Sequence, residues 1–305
     1  MTEHASCGAC GADDAFLLFT SPDLRNPSSR ELFPVGRCRR CGHAYVLERP
    51  TASEIGRYYP ADYAEHRKTG APSKRKRSKR HQHVVLAPGQ RVLDVGCGSG
   101  YDLLKLKDRG AELYGVEMNP QAAAQARENG ITVFEGSAER ADFPAAHFHQ
   151  VTMNHCLEHF HDPKAALANV ARMTHPDGSI HLAFPTAEGA NFRIFRRHWF
   201  HLDVPRHLHF FTHDSFVRLA RSCDLRVVHR ACRSGTRGFR HSVGTMLGWD
   251  GLVRRPPLSW AVRAALLIVD GLRQGEIAEY ILRPQRIEES RAQSPGGTER
   301  KKDGD

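Results

Sequence analysis

Residues 91–100, Arg-Val-Leu-Asp-Val-Gly-Cys-Gly-Ser-Gly, leave this chain few folds to choose from. A short apolar run ends in glycines at 96, 98 and 100, and the next residues, 101–110, have helical spacing and a glycine stop. In a strand–loop–helix of this kind the bare glycines let backbone N–H groups approach a ligand at the helix start. Tyr101 stands where the dinucleotide fingerprint needs its third glycine, so that pattern fails. An acid, Asp94, precedes the loop instead. A carboxylate there repels a pyrophosphate and suits a cationic ligand.

Strand and helix signals alternate downstream. Residues 111–117 read as a strand, 120–130 as an Ala-rich helix with a glycine stop, and 131–136 and 149–154 as strands. Residues 162–178 read as a helix closed by a Pro-Asp-Gly turn, 179–185 as a strand, 213–224 as a helix, and 225–232 and 276–284 as the last strands. This alternation predicts the α/β class with a parallel sheet. The second strand ends in Glu117, 23 residues after Asp94, where a carboxylate can accept both hydroxyls of a ribose. S-adenosylmethionine, with an ammonium, a sulfonium and no phosphate, fits a loop flanked by two acids.

A second constellation lies at the N-terminus. Cys7-Gly-Ala-Cys10 and Cys38-Arg-Arg-Cys41 are two hooks separated by 27 residues. In such a turn both sulfurs can face one point, and two hooks complete a tetrahedral S4 site. The spacing fits a zinc ribbon with an inserted hairpin. A closed four-thiolate site has no open position, so its role is structural. Paired hooks rather than dispersed cysteines point to a reducing compartment. No run of 18 uncharged apolar residues predicts a spanning helix, and the first residues lack a basic-then-apolar leader, so the expected location is cytoplasmic. The formal net charge is +10, but seven Lys/Arg fall between Lys68 and Arg80, and ten less those seven leaves only +3 for the rest. The basicity is one patch, not the property of a nucleic-acid-binding body.

The motifs VLDVGCGSG, GVEMNP, GSAERADF, MNHCLEHFHDP and PDGSIHLAFP resemble the successive motifs of class I S-adenosylmethionine-dependent methyltransferases over about residues 84–232. The resemblance implies a Rossmann-like seven-stranded core. It implies that Asp94, Gly96, Cys97, Gly98 and Gly100 form the methionine-side loop, that Glu117 binds the ribose and that Met118 packs on the adenine. Ser137 and Ala138 would lie along the adenine edge, and Asn154 and His155 would line the site beneath the sulfonium. With the paired cysteines, the segment YYPADYAEH (58–66) and the segment FHLDVPRHLHFFTHDSF (200–216), the chain is similar to a bacterial subgroup that carries an N-terminal zinc-binding segment. Members of that subgroup resemble enzymes of polysaccharide or secondary-metabolite pathways, which implies a small-molecule acceptor, such as a sugar or another natural-product or cell-envelope precursor.

Methyl transfer needs a group to hold the acceptor and, for a hydroxyl, amine or carbon acid, to take its proton. Five histidines fall between 198 and 213. The expected proton acceptor is His207 or His159, with Asp203 as an orienting acid; in the alternative reading Arg206 and His207 hold the loop in place while His201 or His213 caps or faces water. His155-x-x-Glu158-His159 is similar to metal-binding stretches of some methyltransferases, which implies His155, Glu158 and His159 as a ligand set, but the same stretch occurs in metal-free relatives, and the sequence leaves the two readings open. The domain reading is a zinc-ribbon-like lobe (1–63), a basic linker (64–83), a methyltransferase domain (84–285) with acceptor-binding insertions at 186–212 and 233–275, and a disordered tail (286–305). The apolar helix at 257–275 reads as a lid or dimer helix. Two other functions fit the same residues. One is an RNA methyltransferase gripping nucleic acid with the lobe and KRKRSKR, which lacks the aromatic platform of single-strand binders. The other is a non-catalytic binding protein on the same fold.

Overall fold

The computed structural model describes residues 1–26, 30–59, 87–247 and 258–285. The expected linker at 64–83 and tail at 286–305 lie outside the described residues. The N-terminal part is built from β1 (Thr2–His4), β2 (Ala15–Pro22), β3 (Leu32–Cys38), β4 (Ala44–Val46) and β5 (Glu48–Pro50). Strands β2 and β3 form the hairpin inserted between the cysteine hooks.

The core follows in order: β6 (Arg91–Val95), β7 (Glu112–Glu117), α1 (Pro120–Glu128), β8 (Thr132–Glu135), β9 (Phe148–Asn154), α2 (Pro163–Met173), β10 (Thr174–Pro185), α3 (Ala190–Phe195), β11 (His209–Phe210), α4 (His213–Arg221), β12 (Leu225–Arg233), α5 (Thr236–Leu247), α6 (Leu258–Gly271) and β13 (Ile277–Pro284). Seven strands form one sheet in the order β12-β13-β10-β9-β6-β7-β8. From β10 to β8 the neighbours are parallel, and β13 runs antiparallel to both β10 and β12. Val92, Leu93 and Val95 are buried, as a continuous apolar run in a covered parallel strand must be. The chain leaves β6 for β7 on one side and reaches β9 on the other. That reversal opens a crevice at the carboxyl ends of β6 and β9, where open α/β sheets bind ligands.

Local chemistry explains the helix starts. Asn119 caps α1 by accepting from Ala122 N at 2.9 Å, and Asp162 caps α2 by accepting from Ala165 N at 2.9 Å; a proline follows each cap. Thr212 and Ser215 form a reciprocal capping box on α4. The helix expected over 101–110 is instead a 3₁₀ run, Leu103–Arg109, stopped by Gly110 at φ +73°. Leu103 and Leu106 are its buried residues, and a three-residue spacing is what a 3₁₀ turn places on one side. The helix α2 ends at Met173, where β10 begins, so the Pro-Asp-Gly turn falls within an irregular stretch of that strand.

The cysteine lobe does not close its own sheet. Strand β11, which comes from the core between β10 and α4, pairs antiparallel with β4, giving the order β11-β4-β3-β2. Phe33, Val35, Val46 and Tyr58 of the lobe share one buried cluster with Phe192, Phe195, Trp199 and Phe210 of the core. A charge cluster crosses the same seam. Arg206 is 1% exposed. It donates through Nη1 to Asp23 Oδ2 at 2.9 Å and through Nη2 to Asp23 Oδ1 at 2.5 Å, and its Nε donates to Asp203 Oδ1 at 3.0 Å. Nη1 also donates to the Tyr58 carbonyl at 2.8 Å. Helix α6 buries Leu266 and exposes Leu267 and Ile268, and Leu272 just beyond it is exposed too. Among the described residues, no helix is long and apolar enough to cross a membrane.

Removing one member of a buried charge cluster strands its partners in a low dielectric, at a cost of about 3–5 kcal/mol. Arg206→Met should therefore lower unfolding stability by about that amount in urea titrations. A loss below about 1 kcal/mol would mean that the aromatic seam holds the two parts together without the charges.

Candidate functional site

The glycine loop is shaped by packing at two positions and open at the third. Gly96, Gly98 and Gly100 all have positive φ, at +72°, +56° and +78°. A Cβ on Gly96 would lie 2.6 Å from Cys156 Sγ, and one on Gly100 would lie 2.0 Å from Ile131 Cδ1. At Gly98 nothing lies within 4 Å, so that backbone faces the open crevice. Cys97 turns away and is buried in the small cluster with Val92, Leu103 and Ile131.

Both flanking acids are buried. Asp94 Oδ1 accepts from Thr152 Oγ1 at 2.6 Å. Glu117 accepts from Gly98 N through Oε2 and from Asn119 N through Oε1, each at 2.8 Å. Two bonds leave a carboxylate with further lone pairs, enough for two hydroxyls. Met118 is exposed at the rim, Ala138 is buried, and Ser137 precedes the turn Ala138–Arg140. Asn154 ends β9 and His155 follows it. Glu139 Oε2 and Asn154 Nδ2 are buried without a hydrogen-bond partner, polar atoms left for a ligand to satisfy.

Next to this crevice lies a cluster of imidazoles and carboxylates. His155 sits at φ +55°, a strained conformation for a residue with a Cβ, and its Nδ1 donates to Glu158 Oε1 at 3.3 Å. Burial alone would raise the Glu158 carboxyl. The hydrogen bond from His155 and the fields of His159, His155 and His207 outweigh it and hold the group at about 2. His159 Nδ1 is shared between the Arg206 carbonyl at 2.9 Å and the Tyr59 hydroxyl at 3.1 Å. His207 Nδ1 donates to the His201 carbonyl at 2.8 Å, and burial pushes this ring well below the ordinary histidine range.

The structure brings two of the three expected catalytic residues together and sends the third elsewhere. The rings of His159 and His207 are 4.7 Å apart, edge to face. With Glu158 they place one ligand-type atom each within 4.8 Å of one another, a set that draws in His207 rather than the expected His155. Asp203, expected to orient a histidine, is engaged by Arg206 and by Arg25 at 2.7 Å. It stands 4.0 Å from His207 Nε2, beyond hydrogen-bond reach.

His201, for which the alternative reading gives a cap or a water-facing ring, lies with Nε2 3.6 Å from Glu276 Oε1, its ring nearly parallel to that of His155 (11°, centroids 6.4 Å). Neither Tyr59 nor Glu276 was legible as a site residue. Tyr59 lies in the lobe and Glu276 just before the last strand, and no local spacing ties either one to the glycine loop.

The four N-terminal cysteines converge. Cys7 Sγ is 3.5 Å from Cys41 Sγ, and Cys10 Sγ is 3.7 Å from Cys38 Sγ. A tetrahedron of about 2.3 Å zinc–sulfur bonds has edges of about 3.8 Å, so the set fits zinc. Each hook closes on a glycine at φ +72°, Gly11 and Gly42, whose N–H groups bond back to Cys7 O and Cys38 O. The site touches the core, because a Cβ on Gly8 would lie 2.5 Å from His209 Cε1. His209 is structural here. Its Nε2 donates to Phe160 O at 3.0 Å and its Nδ1 accepts from His43 Nε2 at 3.1 Å.

Residues 57–230 match the family model described as a methyltransferase domain. Over 100 residues the chain is 36% identical to a ubiquinone biosynthesis O-methyltransferase of Hahella chejuensis, covering 30% of this chain and 42% of that protein. Over 107 residues it is 27% identical to a demethylmenaquinone methyltransferase of Corynebacterium glutamicum, covering 35% of this chain and 46% of that protein. The match thus spans under half the length of these curated relatives. A solved TehB-like SAM-dependent methyltransferase from Corynebacterium glutamicum is similar at a TM-score of 0.42 and 15% identity, over 66% of this chain and 83% of that one.

Cobalt titration of the reduced, metal-free chain should develop thiolate-to-metal charge transfer that saturates at one equivalent. Cys10→Ser should weaken that band and lower the thermal midpoint. Titration without a charge-transfer band would leave the four thiols without a metal role.

Proposed function

The chain belongs to the methyltransferase-domain family, and from that premise we propose that it transfers a methyl group from S-adenosylmethionine to a small-molecule acceptor. The observation that carries the reading is the crevice itself, an open Gly98 backbone between two buried carboxylates, Asp94 and Glu117. A site with acids at both ends favours a cationic nucleoside over a pyrophosphate.

S-adenosylmethionine supplies a methyl carbon already activated by its sulfonium, so transfer is an in-line displacement. The residues of this chain bind and orient. Asp94 and the loop Gly96–Gly100, with Cys97 behind it, hold the methionine end, and Glu117 takes the ribose. Met118 covers one adenine face while Ser137, Ala138 and the unpartnered Glu139 carboxylate lie at its edge. Asn154 and His155 face the reacting carbon, and the wall formed by His159, His207 and Glu158 bounds the acceptor side. Asp203, through Arg206, fixes the segment that carries His207.

The acceptor we favour is a polar small molecule, a sugar or another natural-product or cell-envelope precursor, because the acceptor side is lined by imidazoles and carboxylates and roofed by the insertion at 186–212. The names of the quinone-pathway relatives are consistent with a small acceptor. We further propose a structural zinc on Cys7, Cys10, Cys38 and Cys41, placing the chain in the bacterial subgroup with a zinc-binding lobe. Four cysteines free of disulfides suit a reducing cytoplasm. The exposed apolar side of α6 is the surface by which two copies would pair.

Incubating the enzyme and a desalted cell extract with methyl-tritiated S-adenosylmethionine should put counts into the small-molecule fraction. Counts in RNA instead would overturn the acceptor class. Asp94→Asn and Glu117→Ala should each weaken cofactor binding in calorimetry by about 1.5–3 kcal/mol, the worth of hydrogen bonds to a charged partner. Unchanged affinity in both variants would remove the site assignment.

A further inference from the structure

Resting on the methyl-transfer reading above, we propose that His201, backed by Glu276, is the base that takes the proton from the acceptor.

Four imidazoles surround the acceptor side, and their partners separate them. Nδ1 of His207 is tied to a backbone carbonyl and the ring is 7% exposed, so a substrate proton has poor access to it. His159 is fixed between Arg206 O and the lobe's Tyr59 hydroxyl. His155 leans on Glu158, but the charge of Glu158 is divided among three imidazoles, those of His155, His159 and His207. Glu276 differs. It is 1% exposed, and three neutral donors converge on it: Asn191 Nδ2 at 2.7 Å, Gly235 N at 3.0 Å and Trp199 Nε1 at 3.4 Å. Such donors keep the carboxylate ionised without neutralising it. Its whole charge therefore faces one imidazole, that of His201, whose Nε2 lies 3.6 Å from Oε1. A gap of that size is common before substrate binds and closes in the complex.

With Nε2–H turned to Glu276, Nδ1 of His201 carries the lone pair, and no described protein group is bonded to it. The ring stands across from His155, which follows the last residue of β9 at the mouth of the cofactor crevice. His201 enters on the segment between α3 and β11, so the base comes from the acceptor roof and the donor from the sheet. Glu276 is a positioning residue. It fixes the tautomer and stabilises the imidazolium.

The step balances. The acceptor O–H bond breaks and its proton goes to His201 Nδ1. The oxygen lone pair forms the new C–O bond to the methyl carbon. The C–S bond breaks and its electron pair returns to sulfur, neutralising the sulfonium. The imidazolium then passes its proton to water when the products leave.

The test uses the full chain, tritiated S-adenosylmethionine and the small-molecule extract as acceptor. His201→Ala should lower the rate by about 10²- to 10⁴-fold, the usual worth of a general base, while calorimetric cofactor affinity holds. Added imidazole should restore part of that rate, a rescue that a structural role would not give. His201→Gln keeps a donor toward Glu276 and serves if the alanine variant does not fold; it should be equally slow and not rescued. Glu276→Gln should reduce kcat and leave the cofactor KM unchanged. A wild-type rate in His201→Ala or His201→Gln overturns the proposal, as does a His201→Ala variant with intact cofactor binding and no rescue. A rate that requires added Mg²⁺ or Mn²⁺ and is lost in Glu158→Gln also overturns it, by assigning deprotonation to the Glu158, His159 and His207 set. Absence of transfer by the unmodified chain overturns the reading beneath it, and the inference with it.

Discussion

Arg206 sits where three parts of the chain meet, and its guanidinium organises all of them. One edge grips Asp23 from the cysteine lobe, the other grips Asp203 from its own turn, and a further N–H reaches the Tyr58 carbonyl. A lysine could not replace it, because the interaction needs a planar fork with five donors. Tyr59 follows Tyr58 and brings its hydroxyl to His159, while His207 follows Arg206 and leans on the carbonyl of His201. The acceptor wall is therefore placed by a charge cluster that is not part of the chemistry. The zinc-fitting hooks reach the same wall by another route, through Gly8 against His209 and through the ring pair His43–His209. The lobe packs into the core through a shared sheet and a shared aromatic cluster and is not an appendage.

The cofactor side obeys a different constraint. Asp94 and Glu117 end neighbouring parallel strands, so their carboxylates come to the same edge of the sheet by register alone. The glycines between them have distinct jobs. Two make room for Cys156 and Ile131, and the middle one leaves open space where a side chain would stand while its N–H is donated to Glu117. Anionic phosphate would meet two buried negative groups at this edge. A sulfonium and an ammonium meet favourable ones.

This division explains what could be read from the sequence. The glycine loop, its two acids and the alternation of strands and helices are local patterns, and each emerged near its expected place. Residues 101–110 were read correctly as a turn of helix stopped by glycine, but spacing over so short a stretch did not separate α from 3₁₀. The acceptor side was far less legible. Asp203 stands beside a histidine-rich motif and looked like its orienting acid, but its charge goes to arginines, one of which, Arg25, lies in the distant lobe. Glu276 carries no motif at all. Its importance comes from Asn191, Trp199, Gly235 and His201, which the fold gathers from four places. Pairings over 40 to 180 residues leave no trace in spacing.

Three of the ten buried unpartnered side-chain atoms among the described residues lie close to the glycine loop's edge of the sheet. Glu139 Oε2, Asn154 Nδ2 and Glu158 Oε2 are buried with no hydrogen-bond partner, and all three belong to turns or strand ends at the carboxyl edge of the sheet. Each such atom costs about 1–3 kcal/mol when left dry. His155 adds a positive φ at the same edge. A chain selected for stability alone would have filled these positions with apolar side chains, as it has in the sheet's core, where Phe148, Val151 and Ile180 are buried. Part of that cost falls at the carboxyl edge of the sheet. It is offset when polar ligands occupy the crevice, so binding and the order of the site are coupled by the same few atoms.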